Sequence, residues 1–161
     1  MSLFVCPVTK PNGSQHEAGI VMTHRDSSAP GSRAHSRLAF HGTAYHFDSF
    51  AQCPSGIHAG TLDQAAHVAT QKLARMDLAQ FEALEPDASG WRGIILRVSL
   101  AMDNTKRVQD ARTPEAWAEH VSVARSQGFD SLVYLNQFEG REQGDSYVVF
   151  DPQQITIIGR Q

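Results

Sequence analysis

The stretch LAFHGTAYHFDSF, residues 38–50, decides how the rest of the chain is interpreted. Its apolar start is typical of a buried strand that stops at His41 and Gly42. A glycine at a strand end lets a ligand approach the backbone, whose N–H and C=O groups can hold an amide in a fixed orientation. The same His-Gly-Thr sequence could also form an ordinary turn, so this stretch alone leaves both interpretations open.

The composition predicts a single domain without a polyanionic partner. The chain has 161 residues, 41% of them hydrophobic, which is enough for one core. Its 14 Lys and Arg residues are scattered and are outnumbered by 17 Asp and Glu, for a formal net charge of −3. Because nucleic-acid-binding domains usually carry a basic stripe, we expect no nucleic-acid partner.

The N-terminus MSLFVCPVTK, residues 1–10, lacks the basic and long apolar segments of a signal peptide. No apolar run approaches the roughly 20 residues that a membrane helix needs. Cys6 and Cys53 could pair once, but their number and spacing do not indicate a disulfide framework. We therefore expect a cytoplasmic domain in a reducing compartment, with no membrane partner.

The strongest helix signal covers residues 60–87. Thr61 and Gln64 form a capping box, apolar residues then recur at helical spacing, and Pro86 ends the pattern. A second helix is predicted from Thr113, with Pro114 at its first position. Its apolar stripe and its C-terminal cap are Trp117, Val121, Ala124 and Gly128.

Short strands are predicted around these helices, and Lys10–Arg37 is predicted to be a flexible loop or arm because it is rich in Ser, Gly, Pro and Asn. The strand signals cover residues 1–9, 37–42, 91–100, 130–136, 145–152 and 154–160. Six or seven short strands with two helices predict a single α+β domain built on antiparallel sheet.

Three segments carry the unusual residues: FHGT at 40–43, SGIHAGT at 55–61 and DSYVVFDPQQI at 145–155. In this order they resemble the mono-ADP-ribosyltransferase superfamily, in its diphtheria-toxin and poly-ADP-ribose-polymerase-like branch. That branch has a strand ending in His-Gly-Thr or His-Gly-Ser, a Gly-x-Tyr-Phe segment before a helix of small residues, and a late Asn-Glu-Tyr-Ile-Val-Tyr-Asp strand. The chain is also similar to small ADP-ribosyltransferase-like domains of phages and bacterial polymorphic toxins, over roughly residues 38–158.

The resemblance implies an ADP-ribosyltransferase-like fold, with two packed, mainly antiparallel sheets and flanking helices. It also implies that NAD is the substrate and that the bond between nicotinamide and ribose is cleaved. Gly42 would hold the carboxamide through its backbone, His41 and Thr43 would fix the ribose portions, and His58 would stack on the nicotinamide ring. The residues expected to bind NAD are His41, Gly42, Thr43, Phe50, Gly56 and His58.

Two departures from the family pattern concern the chemistry. His58 stands where the family has tyrosine, and Ser146 stands where its active members carry a carboxylate that bonds the 2′-hydroxyl of the nicotinamide ribose. Glu139 and Glu142 lie on the preceding loop, and either could fold back over the pocket or belong to a solvated hairpin. Asp145 adjoins Ser146, but strand alternation should point it to the opposite face. The catalytic candidates are therefore Glu139, Glu142 and Ser146.

The leading hypothesis is an ADP-ribosyltransferase whose acceptor is a protein, a nucleic acid, a small molecule or water. The alternative is an inactive module that binds NAD or ADP-ribose, or an interaction domain, and Ser146 favours this alternative. An RNA 2′-phosphotransferase shares the fold, but the acidic balance argues against it. The eight histidines show no helical metal-binding spacing, although His41 and His46 lie five apart, so no metal cofactor is expected.

Overall fold

Two β-sheets pack across one core in the computed structural model, which describes residues 35–161. In sheet order, the first sheet holds β1 (His35–Thr43), β3 (Ile94–Met102) and β7 (Ile155–Arg160). The second holds β2 (Ile57–Ala59), β6 (Gly144–Val149), β5 (Ser131–Asn136) and β4 (Thr105–Arg107). All pairings within the two sheets are antiparallel except the parallel β4–β5 pair, so the α+β class with mainly antiparallel sheets is confirmed.

The core between the sheets follows from strand alternation. Leu96, Val98 and Leu100 of β3 point inward and are fully buried, and they belong to one apolar cluster with Tyr147 and Val149 of β6. The opposite face of the second sheet is covered by helix α3 (Pro114–Ser126). The second sheet is therefore buried on both faces.

A β-bridge between Phe40 and Gly60 joins the edges of the two sheets. Each residue donates its N–H to the carbonyl of the other, and both bonds are 2.9 Å long. Since alternate residues of a strand bond to opposite neighbours, the backbone N–H and C=O of Gly42 also face away from β3 and toward β2. No ladder follows the bridge between β1 and β2 within the described residues, so a gap opens beside His41 and Gly42.

Helix α1 (Leu62–Leu73) covers this end of β1. The predicted capping box is present: Thr61 Oγ1 accepts from the Gln64 N–H, and Gln64 Oε1 accepts from the Thr61 N–H. The prediction of one helix over 60–87 is wrong, because Asp77 caps a separate short helix, α2 (Leu78–Glu82), through a second capping box with Gln80.

Helix α3 confirms the sequence pattern. Thr113 is its N-cap, Pro114 is its first residue, and Gly128 follows its end with a φ of 82°. The stripe of Trp117, Val121 and Ala124 is buried against the second sheet.

Other predicted boundaries need correction. The strand predicted at 37–42 begins at His35, so residues 35–37 belong to β1 rather than to the arm, and β3 spans 94–102 rather than 91–100. The three-residue strands β2 and β4 were not predicted, because such short strands depend on their tertiary partners. The strand predicted at 1–9 and the rest of the arm lie outside the described residues.

One finding bears on localisation. Within residues 35–161, no helix is long and apolar enough to cross a membrane. A cytoplasmic localisation stays a prediction.

Replacing Gly42 by alanine should destabilise the protein by about 2 to 4 kcal/mol. A Cβ at this position would lie 1.9 Å from the Ala65 carbonyl oxygen, so β1 and α1 would have to separate. The matched control is Gly159→Ala in the same sheet, where the new Cβ would meet its nearest neighbour at 3.9 Å. Urea unfolding measures both changes, and equal stability of the two variants would contradict the close packing of α1 on β1.

Candidate active site

A cavity of about 360 Å³ lies where β1 and β2 separate, within the size range of small-molecule sites. Its walls come from the end of β1, the segment 44–51, helix α1 and the loop that precedes β6. All six residues expected to bind NAD line it: His41, Gly42, Thr43, Phe50, Gly56 and His58. Glu139 and Ser146 also line it, whereas Glu142 is exposed and lies outside the lining. The fold therefore brings three distant sequence segments to one place.

His41 spans the gap between the two sheets. Its Nδ1–H donates to the His58 carbonyl at 2.7 Å, which fixes the tautomer and leaves Nε2 as an acceptor. The ring packs edge-on against Phe50, with centroids 5.1 Å apart. Burial, together with the nearby Lys72 ammonium, lowers the pKa of His41 to about 3. His41 is therefore neutral near pH 7 and can accept a hydrogen bond from a ligand hydroxyl.

Both ring nitrogens of His58 form hydrogen bonds within the protein. Nε2–H donates to the Ser55 carbonyl at 3.2 Å, and Nδ1 accepts from the Tyr134 hydroxyl at 3.3 Å. The ring packs edge-on against Trp117 with centroids 4.8 Å apart, and burial lowers its pKa to about 4. Both nitrogens therefore have partners in the protein. His58 lines the cavity, and its stacking on a nicotinamide ring stays a prediction.

Thr43 and Gly56 also have structural roles at the cavity. The Thr43 side chain is buried, and its hydroxyl oxygen accepts from the Tyr45 N–H at 3.3 Å, which fixes the turn after β1. Gly56 adopts a φ of 76°, in the region that favours glycine, and a Cβ there would lie 2.2 Å from a Val148 methyl group.

A buried polar network lies behind the cavity around Ser146. Gln64, Asn136 and Ser146 are each only 2% exposed. The Ser146 hydroxyl donates to Gln64 Oε1 at 2.9 Å and accepts from Asn136 Nδ2 at 3.1 Å. Gln64 Nε2 donates to the Gly144 carbonyl at 3.1 Å. The Ser146 hydroxyl is thus used within the protein and ties α1 to β5 and β6.

Asn136 extends this network to Glu139. Its Nδ2 also donates to Glu139 Oε2 at 2.8 Å, and its Oδ1 accepts from the N–H groups of Phe138 and Glu139 at 3.2 and 3.1 Å. One buried amide therefore holds both the backbone of the loop and the carboxylate. Glu139 lies beside Ser146 on the cavity wall, and burial raises the pKa of its carboxyl.

The loop that carries Glu139 is also fastened to the start of α1. The Arg141 N–H donates to Asp63 Oδ2, and Gly140, at a φ of 85°, leaves no room for a Cβ beside that carboxylate. The alternative of a solvated hairpin does not describe Glu139, which is partly buried at the cavity. It does describe Glu142, which is exposed.

The Lys72 side chain of α1 also lines the cavity. Its Nζ donates to the Gly42 carbonyl at 2.8 Å, the same carbonyl that faces the gap between the sheets. Burial lowers the pKa of Lys72 to about 8, and the nearby Glu139 carboxylate partly opposes this change. Lys72 is therefore still mostly charged at neutral pH.

The structure also shows where Asp145 and His46 lie. Asp145 forms an ion pair with Arg107 at 2.8 Å, outside the cavity lining, so its predicted outward orientation is confirmed. His46 is exposed. In the part of the chain that the structure describes, no three His, Cys, Asp or Glu side chains are grouped to hold a metal ion.

Sequence reasoning missed Lys72, Asn136 and the role of Gln64 in the cavity wall. Gln64 was recognised only as a helix cap, and its second role depends on β6. Asn136 had a usable signal, since a polar amide directly follows the apolar residues of a predicted strand and precedes a loop with two glutamates. Lys72 had no such signal, because a lysine between apolar residues of an amphipathic helix is usually solvated.

Comparison with known proteins yields no family-model match and no significant match to a curated protein. The relation to ADP-ribosyltransferases therefore stays a resemblance carried by three motifs, and the function has to be argued from the geometry of the cavity.

The two cavity histidines, His41 and His58, should make the protein sensitive to mild acid. Because their pKa values lie below the ordinary value of 6.5, the unfolded chain binds more protons than the folded chain below about pH 7. The free energy of unfolding should fall by about 1 to 2 kcal/mol for each histidine between pH 7.5 and pH 5, and urea titrations at the two pH values measure it.

The variant His58→Gln should lose the part of this pH dependence that His58 contributes, about 1 to 2 kcal/mol between pH 7.5 and pH 5. His46→Gln is the matched control at an exposed position and should keep the wild-type dependence. If His58→Gln loses as much stability between pH 7.5 and pH 5 as the wild type does, His58 is not held neutral in the fold.

Proposed function

We propose that this chain is an ADP-ribosyltransferase with an ADP-ribosyltransferase-like fold that cleaves the bond between nicotinamide and ribose in NAD. The ADP-ribose passes to an acceptor hydroxyl, amine or carboxylate, or to water. One observation carries the proposal: Asn136 bonds both the Glu139 carboxylate and the Ser146 hydroxyl, at 2.8 and 3.1 Å. A loop carboxylate thus lies next to the position where the family pattern expects one, in the same cavity as His41 and Gly42.

The chemistry requires negative charge at that place. When the bond from the ribose carbon to the nicotinamide nitrogen breaks, its electron pair moves to the nitrogen and the sugar gains oxocarbenium character. A carboxylate fixed beforehand stabilises that charge without having to reorganise. Glu139 is suited to this role because the Asn136 amide holds both its carboxylate and its backbone N–H.

The opposite part of the cavity suits the nicotinamide. The backbone of Gly42 faces the gap and can bond a carboxamide, although its carbonyl now also accepts from Lys72. Phe50 and His58 provide flat, largely apolar walls. His41 Nε2 is left as an acceptor for a ribose hydroxyl.

The second candidate function is a binding module for NAD or ADP-ribose without turnover. It is favoured by Ser146, whose hydroxyl is fully engaged with Gln64 and Asn136 and cannot replace a carboxylate. Under this hypothesis NAD raises the melting temperature, and no nicotinamide is released by the wild type.

Glu139→Gln should lower the rate of nicotinamide release from NAD by about 100-fold or more, because it removes the charge but keeps the size and the acceptor for Asn136. Glu142→Gln is the matched control on the same loop and should stay within about twofold of the wild type. The measurement is chromatographic detection of nicotinamide at micromolar enzyme. Equal activity of the two variants would contradict the assignment of Glu139.

Asn136→Ala should also lower the turnover rate, by about 10-fold or more, because it releases the Glu139 carboxylate from its position. The double variant with Glu139→Gln should be little slower than Glu139→Gln alone, since both changes remove one unit of the site. If the two losses multiply in the double variant, then Asn136 acts independently of Glu139. Circular dichroism spectra check that the fold is retained.

A further inference from the structure

A cationic region lies on the α1 side of the cavity. Lys72, in the last turn of α1, and Arg75, two residues beyond the end of that helix, both line the cavity. Within residues 35–161, no carboxylate lies within ion-pair distance of Lys72, and its Nζ bonds the uncharged Gly42 carbonyl. A half-buried ammonium held by one neutral acceptor is incompletely compensated, because burial removes part of its hydration.

The acidic residues that line the cavity, Glu139 and Asp110, form hydrogen bonds with groups other than Lys72. Glu139 accepts from Asn136, and Asp110 accepts from the Gln137 N–H at 3.3 Å. Arg112 also lines the cavity and lies near Asp110, so that carboxylate has a cationic neighbour of its own. A ligand that brings an anionic group to Lys72 would supply the charge that this ammonium lacks.

The contact between Lys72 and Gly42 has a second consequence. The proposed function assigns the Gly42 carbonyl to the carboxamide of nicotinamide, and Lys72 Nζ lies 2.8 Å from that oxygen. A lysine has a flexible four-carbon stem and three donors, so its ammonium can move to a nearby anion at little cost in strain. The same movement would release the Gly42 carbonyl.

We propose that Lys72, with Arg75, binds the diphosphate of a dinucleotide, and that this contact withdraws Lys72 from the Gly42 carbonyl and makes that carbonyl available to the carboxamide. The anion-binding site is inferred from the cavity and the position of Lys72. The identification of the ligand as a dinucleotide rests on the proposed function. A ligand with a diphosphate then binds more tightly because of Lys72. A ligand without a diphosphate has to compete with Lys72 for the Gly42 carbonyl.

The test uses the full chain and the variant Lys72→Met, which keeps the apolar stem and removes the charge. Lys106→Met is the matched control, since Lys106 lies outside the cavity lining and bonds Gln127 Oε1 at 2.6 Å. Isothermal titration measures the binding of ADP-ribose, inorganic pyrophosphate and nicotinamide to each protein. Melting temperatures confirm that both variants are folded.

We expect Lys72→Met to weaken the binding of ADP-ribose and of pyrophosphate about 10-fold, which corresponds to about 1.4 kcal/mol. Nicotinamide should bind Lys72→Met at least as tightly as it binds the wild type. The Lys106→Met variant should bind all three ligands with wild-type affinity. Unchanged pyrophosphate binding, or weaker binding of nicotinamide together with ADP-ribose, would overturn the proposal. If pyrophosphate binds through Lys72 while ADP-ribose and nicotinamide do not bind at all, the anion site stands and the proposed function fails.

Discussion

The bridge between Phe40 and Gly60 is the constraint on which the cavity depends. Its two 2.9 Å hydrogen bonds join the edges of the sheets, and beyond it β1 and β2 separate. The same glycine leaves room for the polar network, because a Cβ on Gly60 would lie 2.2 Å from Gln64 Oε1 and 2.7 Å from Ser146 Oγ. The junction of the sheets and the support of the candidate site thus meet at one residue.

The gap that opens beyond the bridge is closed by side chains rather than by a strand. The His41 imidazole donates to the backbone of His58, and the Lys72 ammonium donates to the backbone of Gly42. Backbone groups at a separated strand edge need such partners, because an unpaired polar group away from water is costly. Under our proposal, the Lys72 ammonium exchanges the Gly42 carbonyl for a ligand anion, which a backbone group of a continuous β-ladder could not do.

The Glu139 carboxylate is positioned at this gap by a loop, unlike the groups that β1 positions there. His41 and Gly42 are placed by a regular strand, whereas Glu139 is placed by a loop that Asn136 and Asp63 fasten at two points. Ser146 then acts as part of the support. Under the proposed function, a buried serine and an adjacent loop glutamate together take the place of the one strand carboxylate of the family that the sequence resembles.

Local signals predicted the parts of the fold that depend on local chemistry. Thr113, Pro114 and Gly128 bound α3 as the sequence indicates, and Thr61 caps α1. The break at Asp77 was missed because the apolar pattern continues across it, although the Asp77–Gln80 capping box is visible in the sequence.

Other features depend on tertiary contacts that no local pattern records. The strands β2 and β4 exist through pairing with β6 and β5. The position of Glu139 depends on Asp63 and Asn136, and the burial of Lys72 depends on the gap beside Gly42. The motif residues of the candidate site were therefore identifiable from sequence, whereas the tertiary contacts that support them were not.

A crystal structure with a carbocyclic, non-cleavable analogue of NAD tests the central claim most directly. The account predicts the carboxamide against the backbone of Gly42, and the Glu139 carboxylate within hydrogen-bond distance of a hydroxyl on the nicotinamide-bearing ring. An analogue bound outside the cavity, or bound inside it with that ring out of reach of Glu139, would contradict the claim.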